Sequence, residues 1–232
     1  MTGGPGVGVL LPAAGLGLRL GPGRPKALRT LLGEPLLVHA VRGLREVAAV
    51  GPIVVAAPGQ DVEDVEAMLA AFPGVTVVAG GVERPDSVRA ALAAVPAEVR
   101  LVLVHDAARC LTPPRLVEAV IAALLTGAEA VVPVVPVADT VKSVRGDLVT
   151  ATIERSSLRA VQTPQGFTRV LLERAHAAGA PGAHLHTDDA GLVEALGVAV
   201  RTVPGDEEAF KVTRPLDLEV AQAVLQRRRN RP

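Results

Sequence analysis

Aromatic side chains are nearly missing from this sequence: no Trp, no Tyr and three Phe in 232 residues. The core must therefore be built from Val, Leu, Ala and Ile. The shortage also argues against nucleic-acid binding that stacks bases on aromatic platforms. A single cysteine, Cys110, excludes an intrachain disulfide and fits a reducing, cytoplasmic setting. There is no charge excess, since 24 basic residues balance 24 acidic ones, whereas nucleic-acid binders usually show a basic surplus. The basic cluster 227-RRRNR-231 reads as a solvated helix end, where positive charge is favourable. Long apolar runs are lacking too. The most apolar window, 119–138, is interrupted by Gly127, Glu129, Pro133 and Pro136, so a membrane span is not expected. No basic stretch precedes an apolar run at the N-terminus, so no signal peptide is expected either.

What is present is alternation. Apolar, β-rich runs at 7–13, 52–57, 75–79, 100–105 and 130–137 are separated by helical patterns. Pro35 opens a helix to about Val47. Asp61 stands at the N-cap position of 62–72, and 85–95 and 114–125 follow the helical period. Strands this uniformly apolar are buried on both faces. The pattern predicts an α/β fold: a Rossmann-like, mostly parallel central sheet with helices on both faces. From 138 to 161 apolar and polar residues alternate about Arg145, Gly146 and Asp147, a hairpin pattern. It is expected to protrude from the domain as an arm, or else to add an edge ribbon to the sheet. Helices at 168–178 and 188–196, a strand at 198–203 and a last helix at 215–228 follow. With no repeat and no second core, one domain over 1–232 plus the arm is expected.

The densest chemistry lies in 12-PAAGLGLRLGPGRPKAL-28. This loop follows the first strand, and ligands of open α/β sheets bind beyond the carboxyl ends of the strands. A dinucleotide fingerprint needs a glycine three positions beyond Gly17, and Leu20 stands there; the second strand also ends in 56-AAPG-59, with no acid for a ribose. A phosphate-binding P-loop needs Gly-Lys-Ser/Thr, which is lacking. Two readings remain. The stretch is a plain turn, or its glycine backbone and cations hold a triphosphate.

Four further stretches bear on that choice: 80-GGVERPDSV-88, 104-VHDAAR-109, 162-QTPQGF-167 and 211-KVTRPLDL-218. Together with PAAGLGLRL and the following Pro-Lys, they resemble the 2-C-methyl-D-erythritol 4-phosphate cytidylyltransferase family of the non-mevalonate isoprenoid pathway, from about Val7 to Gln226. The resemblance implies a fold of the nucleotide-diphospho-sugar transferase type and a reaction of CTP with methylerythritol phosphate. Arg19, Lys26 and Lys211 match positions that act on the reacting phosphates. Pro12, Ala13, Ala14, Gly15, Gly17, Gly80, Gly81, Ser87, Asp106 and Ala107 match nucleotide contacts, with Ser87 at the cytosine edge. Asp106, Arg109, Thr163 and Thr187 match the second substrate's pocket. Thr140 and Arg155, on the arm, match positions that reach that substrate across a homodimer. Mg²⁺ is implied as cofactor, chiefly on the triphosphate and with Asp106 as the candidate protein ligand.

Taken singly, Arg19, Lys26 and Lys211 could be surface or snorkelling side chains. Asp188 and Asp189 read as acids favouring a helix start, and His184 and His186 as loop polar residues. The chain departs from the family pattern at Leu18, Ala27, Val82 and Cys110, which implies a thinner positive rim; Cys110 reads as a small buried residue. The segment 20–25 reads as a flap with Gly21 and Gly23 as joints; Arg24 has no assigned role. Two rivals stand beside this reading. One is a cytidylyltransferase for another polyol phosphate such as ribitol 5-phosphate. The other is a non-catalytic nucleotide-binding protein on the same fold.

Overall fold

The computed structural model describes residues 6–15, 17–21, 23–177 and 188–230. Its frame is set by strands whose residues are buried on both sides. Strand β1 (Val7–Pro12) runs parallel to β4 (Val50–Ala57), which runs parallel to β5 (Val75–Ala79). On its other edge β1 pairs in parallel with β6 (Leu101–Val104). A small hairpin of β2 (Thr30–Leu31) and β3 (Glu34–Pro35) lies between β1 and β4 in the chain. Beyond β6 the sheet becomes mixed. Strands β7 (Ala130–Pro136), β10 (Arg159–Val161) and β11 (Gln165–Thr168) pair antiparallel, while β12 (Arg201–Pro204) lies parallel to β7. The order is β10-β7-β11-β6-β1-β4-β5, with β12 on the far edge of β7.

Side chains of successive strand residues point to opposite faces, and the core divides accordingly. Val9 and Leu11 of β1 pack with α1 (Leu36–Arg45), α2 (Val62–Leu69) and α4 (Pro114–Leu125). Leu10 packs on the other face with α3 (Arg84–Ala93), α5 (Arg169–Ala177) and α6 (Asp189–Ala195). A third cluster joins Leu20, Leu31 and Cys110 to Leu218 and Ala221 of α7 (Pro215–Arg229). Phe167 is fully buried in the second layer, and aliphatic residues supply almost all the rest.

One local expectation needs correction, and two are met in position with a difference in detail. The hairpin proper is shorter than 138–161: only β8 (Val141–Arg145) and β9 (Leu148–Ile153) pair with each other, about a turn at Gly146–Asp147. The chain then returns to the main sheet, because Arg159–Val161 finds open hydrogen-bonding groups on β7. Asp61 occupies the N-cap of α2 without a side-chain hydrogen bond to the helix. Asp188 does cap α6 by accepting from Gly191 N, but Asp189 is drawn into the core by His176 and Arg84. Thr187, His184 and His186 lie outside the described residues.

Candidate active site

The carboxyl ends of β1, β5 and β6 open onto one cleft. Its lining includes Pro12, Ala13, Ala14 and Gly15 after β1, Gly81 to Arg84 and Ser87 after β5, and Asp106 to Ala108 after β6, closed by Lys26 and Lys211. A second depression abuts it, lined by Arg109, Val161, Gln162, Thr163, Gln165 and Asp188. The two depressions share Arg84, Asp106 and Lys211.

The glycines divide the work. A Cβ on Gly15 would meet nothing within 4 Å, so this position faces open cleft. Gly17 has φ +67°, and a Cβ there would lie 2.4 Å from Lys26 Cβ. Gly17, expected to let backbone approach a phosphate, makes room for Lys26 in this structure. Lys26 N donates to Gly15 O at 3.3 Å, and buried Ala27 and Leu28 anchor the short 3₁₀ turn that Lys26 opens. Across the cleft, a Cβ on Gly81 would meet Asp86 Cβ at 2.1 Å and one on Gly80 would meet Ala14 Cβ at 2.8 Å, so this turn excludes side chains. Gly81 N donates to Ser87 Oγ, and the Ser87 hydroxyl donates to Glu83 O. Ser87 is thus held in the first turn of α3 at the cleft wall.

Asp106 is the electrostatic centre. Its carboxylate meets Lys211 Nζ at 2.6 Å, Arg84 Nε at 3.5 Å and Arg109 Nε at 4.0 Å. Burial alone would raise its pKa, but Lys211 and Arg84 hold the carboxyl well below the usual range. Lys26 has no such partner at contact distance among the described residues. Burial, then the nearby charge of Lys211, lower its pKa to about 8, and Arg19 adds to the repulsion. Arg19 is exposed and lines neither depression, although it stands close enough to Lys26 to act on its charge. Gly80 likewise lies behind the lining.

The loop bearing Lys211 is fixed from below. Gln162 exchanges two hydrogen bonds with the backbone of Asp206, Arg109 donates to Ala209 O, and Val212 N donates to Ala108 O. Arg109 Nε is buried and without a hydrogen-bond partner. The Thr163 hydroxyl accepts from Asp106 N and shares a 3.0 Å hydrogen bond with His105 Nδ1. Burial lowers the His105 pKa to about 4, so that ring is neutral. Thr163 therefore faces its depression with its hydroxyl already engaged. Thr140 and Arg155 are exposed on the arm segment and line neither depression of their own chain; Arg155 donates to Ala138 O.

Arg84 is the site residue that motif reading missed. It lines both depressions and bridges Asp106 to Asp189, and His176 in turn meets Asp189 at 3.0 Å. The Gly-Gly turn at 80–81 placed Arg84 at the cleft, but its partner Asp189 lies 105 positions away in the chain. Gln165, fully buried, ties Asp188 and Ala190 N to the same wall. Cys110 is buried and its thiol is pushed up to about 12 by burial, so it is an inert packing group. Arg24 makes an exposed ion pair with Asp64.

Known proteins share this fold and much of this sequence. The family model for IspD, 2-C-methyl-D-erythritol 4-phosphate cytidylyltransferase, matches residues 7–227. A protein of that name from Frankia casuarinae is 58% identical, over 96% of this chain and 82% of the relative. One from Streptomyces coelicolor is 55% identical, over 95% and 85%. Among solved structures, the cytidylyltransferase of that name from Thermus thermophilus superposes with a TM-score of 0.77 at 36% identity, covering 95% of this chain and 99% of that one. The 4-diphosphocytidyl-2C-methyl-D-erythritol synthase from Anaerococcus prevotii gives 0.83 at 27% identity, covering 97% and 100%. Agreement this high over nearly the full length, in sequence and in fold together, makes the chain a member of the 2-C-methyl-D-erythritol 4-phosphate cytidylyltransferase family.

Proposed function

We propose that the chain transfers CMP from CTP to 2-C-methyl-D-erythritol 4-phosphate and releases pyrophosphate. The observation that carries this reading is the pair of abutting depressions that share Arg84, Asp106 and Lys211. Two phosphorylated substrates can lie one in each and meet at the shared cations. A phosphate oxygen of methylerythritol phosphate attacks the α-phosphorus of CTP. The bond from that phosphorus to the bridging α–β oxygen breaks, and its electrons leave with pyrophosphate. The attacking phosphate has a second pKa of about 6, so it is largely ionised at neutral pH and needs no protein base. The protein's task is to bring two anions together and to stabilise the charge that builds during transfer.

The residues fit those tasks. Ala13 to Gly15 offer backbone to the nucleotide, and Ser87 with the 80–81 turn offers polar groups to the cytosine edge, where an unmatched base would leave them unsatisfied. Lys26, Lys211 and Arg19 act on the triphosphate. Arg109 and the 161–163 wall receive the second substrate. Among the described residues no three acidic, His or Cys side chains converge as a metal cage, and Asp106 is the one carboxylate common to both depressions. That donor set fits Mg²⁺ carried mainly by triphosphate oxygens, with Asp106 as its protein ligand once Lys211 turns to the phosphates. Bound there, the ion would neutralise part of the triphosphate charge.

Two copies form the working unit in this reading, with Thr140 and Arg155 of one arm completing the partner's second depression. No helix of the described residues is long and apolar enough to cross a membrane, and the lone cysteine fits the cytoplasm. The decisive assay is release of pyrophosphate from CTP. It should require both methylerythritol phosphate and Mg²⁺. Equal release with ribitol 5-phosphate would overturn the substrate assignment, and no release with either would overturn the enzyme reading in favour of a binding protein.

A further inference from the structure

Arg29 follows the turn that begins at Lys26, and no motif singles it out. Its side chain folds back over the loop between Arg19 and Lys26. Nη2 donates to Gly21 O at 2.5 Å and Nε donates to Arg24 O at 2.9 Å. A Cβ on Gly23 would stand 2.8 Å from Nη1 and 3.0 Å from Cζ, so the loop backbone lies against the guanidinium and a side chain at 23 would displace it. Gly21 at φ +84° and Gly23 at φ +133° occupy regions that other residues rarely adopt. Glycine has no preference of its own for these values, so something else must select them. Leu20 is packed into the third core cluster, and the other polar side-chain tether among the described residues is the Arg24–Asp64 pair at 3.6 Å, with side chains 56% and 71% exposed. Exposed pairs of this kind contribute little. A planar fork on two carbonyls is the stronger constraint.

We propose that Arg29 is a positioning residue for the transfer reaction: by locking the backbone at Gly21, Gly23 and Arg24 it presets Arg19 and Lys26 for one triphosphate. The loop is the covalent link between those two cations, so its shape sets how they stand relative to each other. Without the lock, nucleotide binding must itself order the loop, and affinity falls. Arg19 already bears on the charge of Lys26 in the free protein, which agrees with cations held near each other before any ligand arrives.

The test has an arm that needs no substrate. Amide hydrogen exchange in the free, full-length protein should be roughly tenfold faster across residues 19–28 in Arg29→Ala, the scale of losing two backbone tethers, and unchanged elsewhere. Gly23→Ala, which pushes the guanidinium away, should act in the same direction. Arg29→Lys keeps the charge without the planar fork and should retain most of the defect. Arg24→Ala should exchange like wild type. In the kinetic arm, which rests on the CTP reading, Arg29→Ala should raise KM for CTP about tenfold with KM for methylerythritol phosphate unchanged. Full rescue by Arg29→Lys, or a raised KM without faster exchange, would assign Arg29 to direct phosphate contact and overturn the proposal. Faster exchange with an unchanged KM would overturn the positioning role. Inactivity of the wild-type protein would instead defeat the CTP reading and leave the exchange result standing.

Discussion

Lys26 holds its charge in a place that disfavours it until an anion arrives. Burial and Lys211 lower its pKa to about 8, against 10.5 for an ordinary lysine. The neutral form is therefore reached at lower pH than in an ordinary lysine, although the charged form still predominates below about pH 8, and a triphosphate favours the protonated one further. The sign follows: CTP binding should take up a proton near pH 8, and kcat/KM for CTP should decline as pH rises through about 8. In Lys211→Ala one repulsive charge is gone and Asp106 loses a competing cation, so the Lys26 pKa rises and the alkaline limb moves to higher pH. A limb left at pH 8 in that variant would reject the coupling. Both Lys211→Ala and Lys26→Ala should lower turnover by about 10²-fold or more, the scale of losing one donor to the transition state. Wild-type turnover in either would remove that lysine from the mechanism. Lys26 and Lys211 were legible as cations in family positions. That Lys211 rests on Asp106 at 2.6 Å in the free protein was not, because the contact joins loops after β6 and β12.

Within one loop, neighbouring glycines serve different ends, and substitution should separate them. Gly15→Ala adds a methyl group where nothing lies within 4 Å, so stability should change by less than about 0.5 kcal/mol. The methyl group enters the cleft, however, and KM for CTP should rise. Gly17→Ala meets Lys26 Cβ at 2.4 Å from a left-handed backbone and should displace the lysine, lowering kcat as Lys26→Ala does. Thermal midpoints beside kcat and KM decide between the two patterns; a Gly17→Ala protein with normal kcat would free that glycine of the assigned role. Glycine counting finds both positions and cannot tell them apart, since the distinction lies in what a Cβ would touch. The same limit applies to larger elements. The buried strands were legible because β1, β4 and β6 are apolar on both faces. The return of Arg159–Val161 to the sheet was not, because its alternation continues the pattern of β8 and β9 while its true partner is β7. Arg29 was invisible for a related reason: it acts through its side-chain reach onto carbonyls, which carry no residue identity.

At the scale of the whole molecule, the arm is the element a single chain leaves unfinished. Among the described residues, strands β8 and β9 pair only with each other, and Val144, Leu148 and Val149 are 63%, 69% and 61% exposed. An isolated two-stranded ribbon is marginal in water, so a partner surface that covers these side chains would stabilise it. A second copy related by two-fold symmetry is the commonest solution. Thr140 and Arg155 flank β8 and β9 in the chain and line neither depression of their own chain, so in the proposed dimer each site would take its loop cations from one subunit and its arm residues from the other. Complementation tests that division. Arg19→Ala and Arg155→Ala homodimers should each be strongly impaired. In a mixed dimer, one site carries both lesions, whereas the other joins an intact Arg19 loop to an intact Arg155 arm. Co-expressed and purified as the heterodimer, the pair should therefore recover up to about half of wild-type turnover, one of two sites. Heterodimers that stay as inactive as their parents would place Arg155 in the same site as its own Arg19, or outside the site altogether.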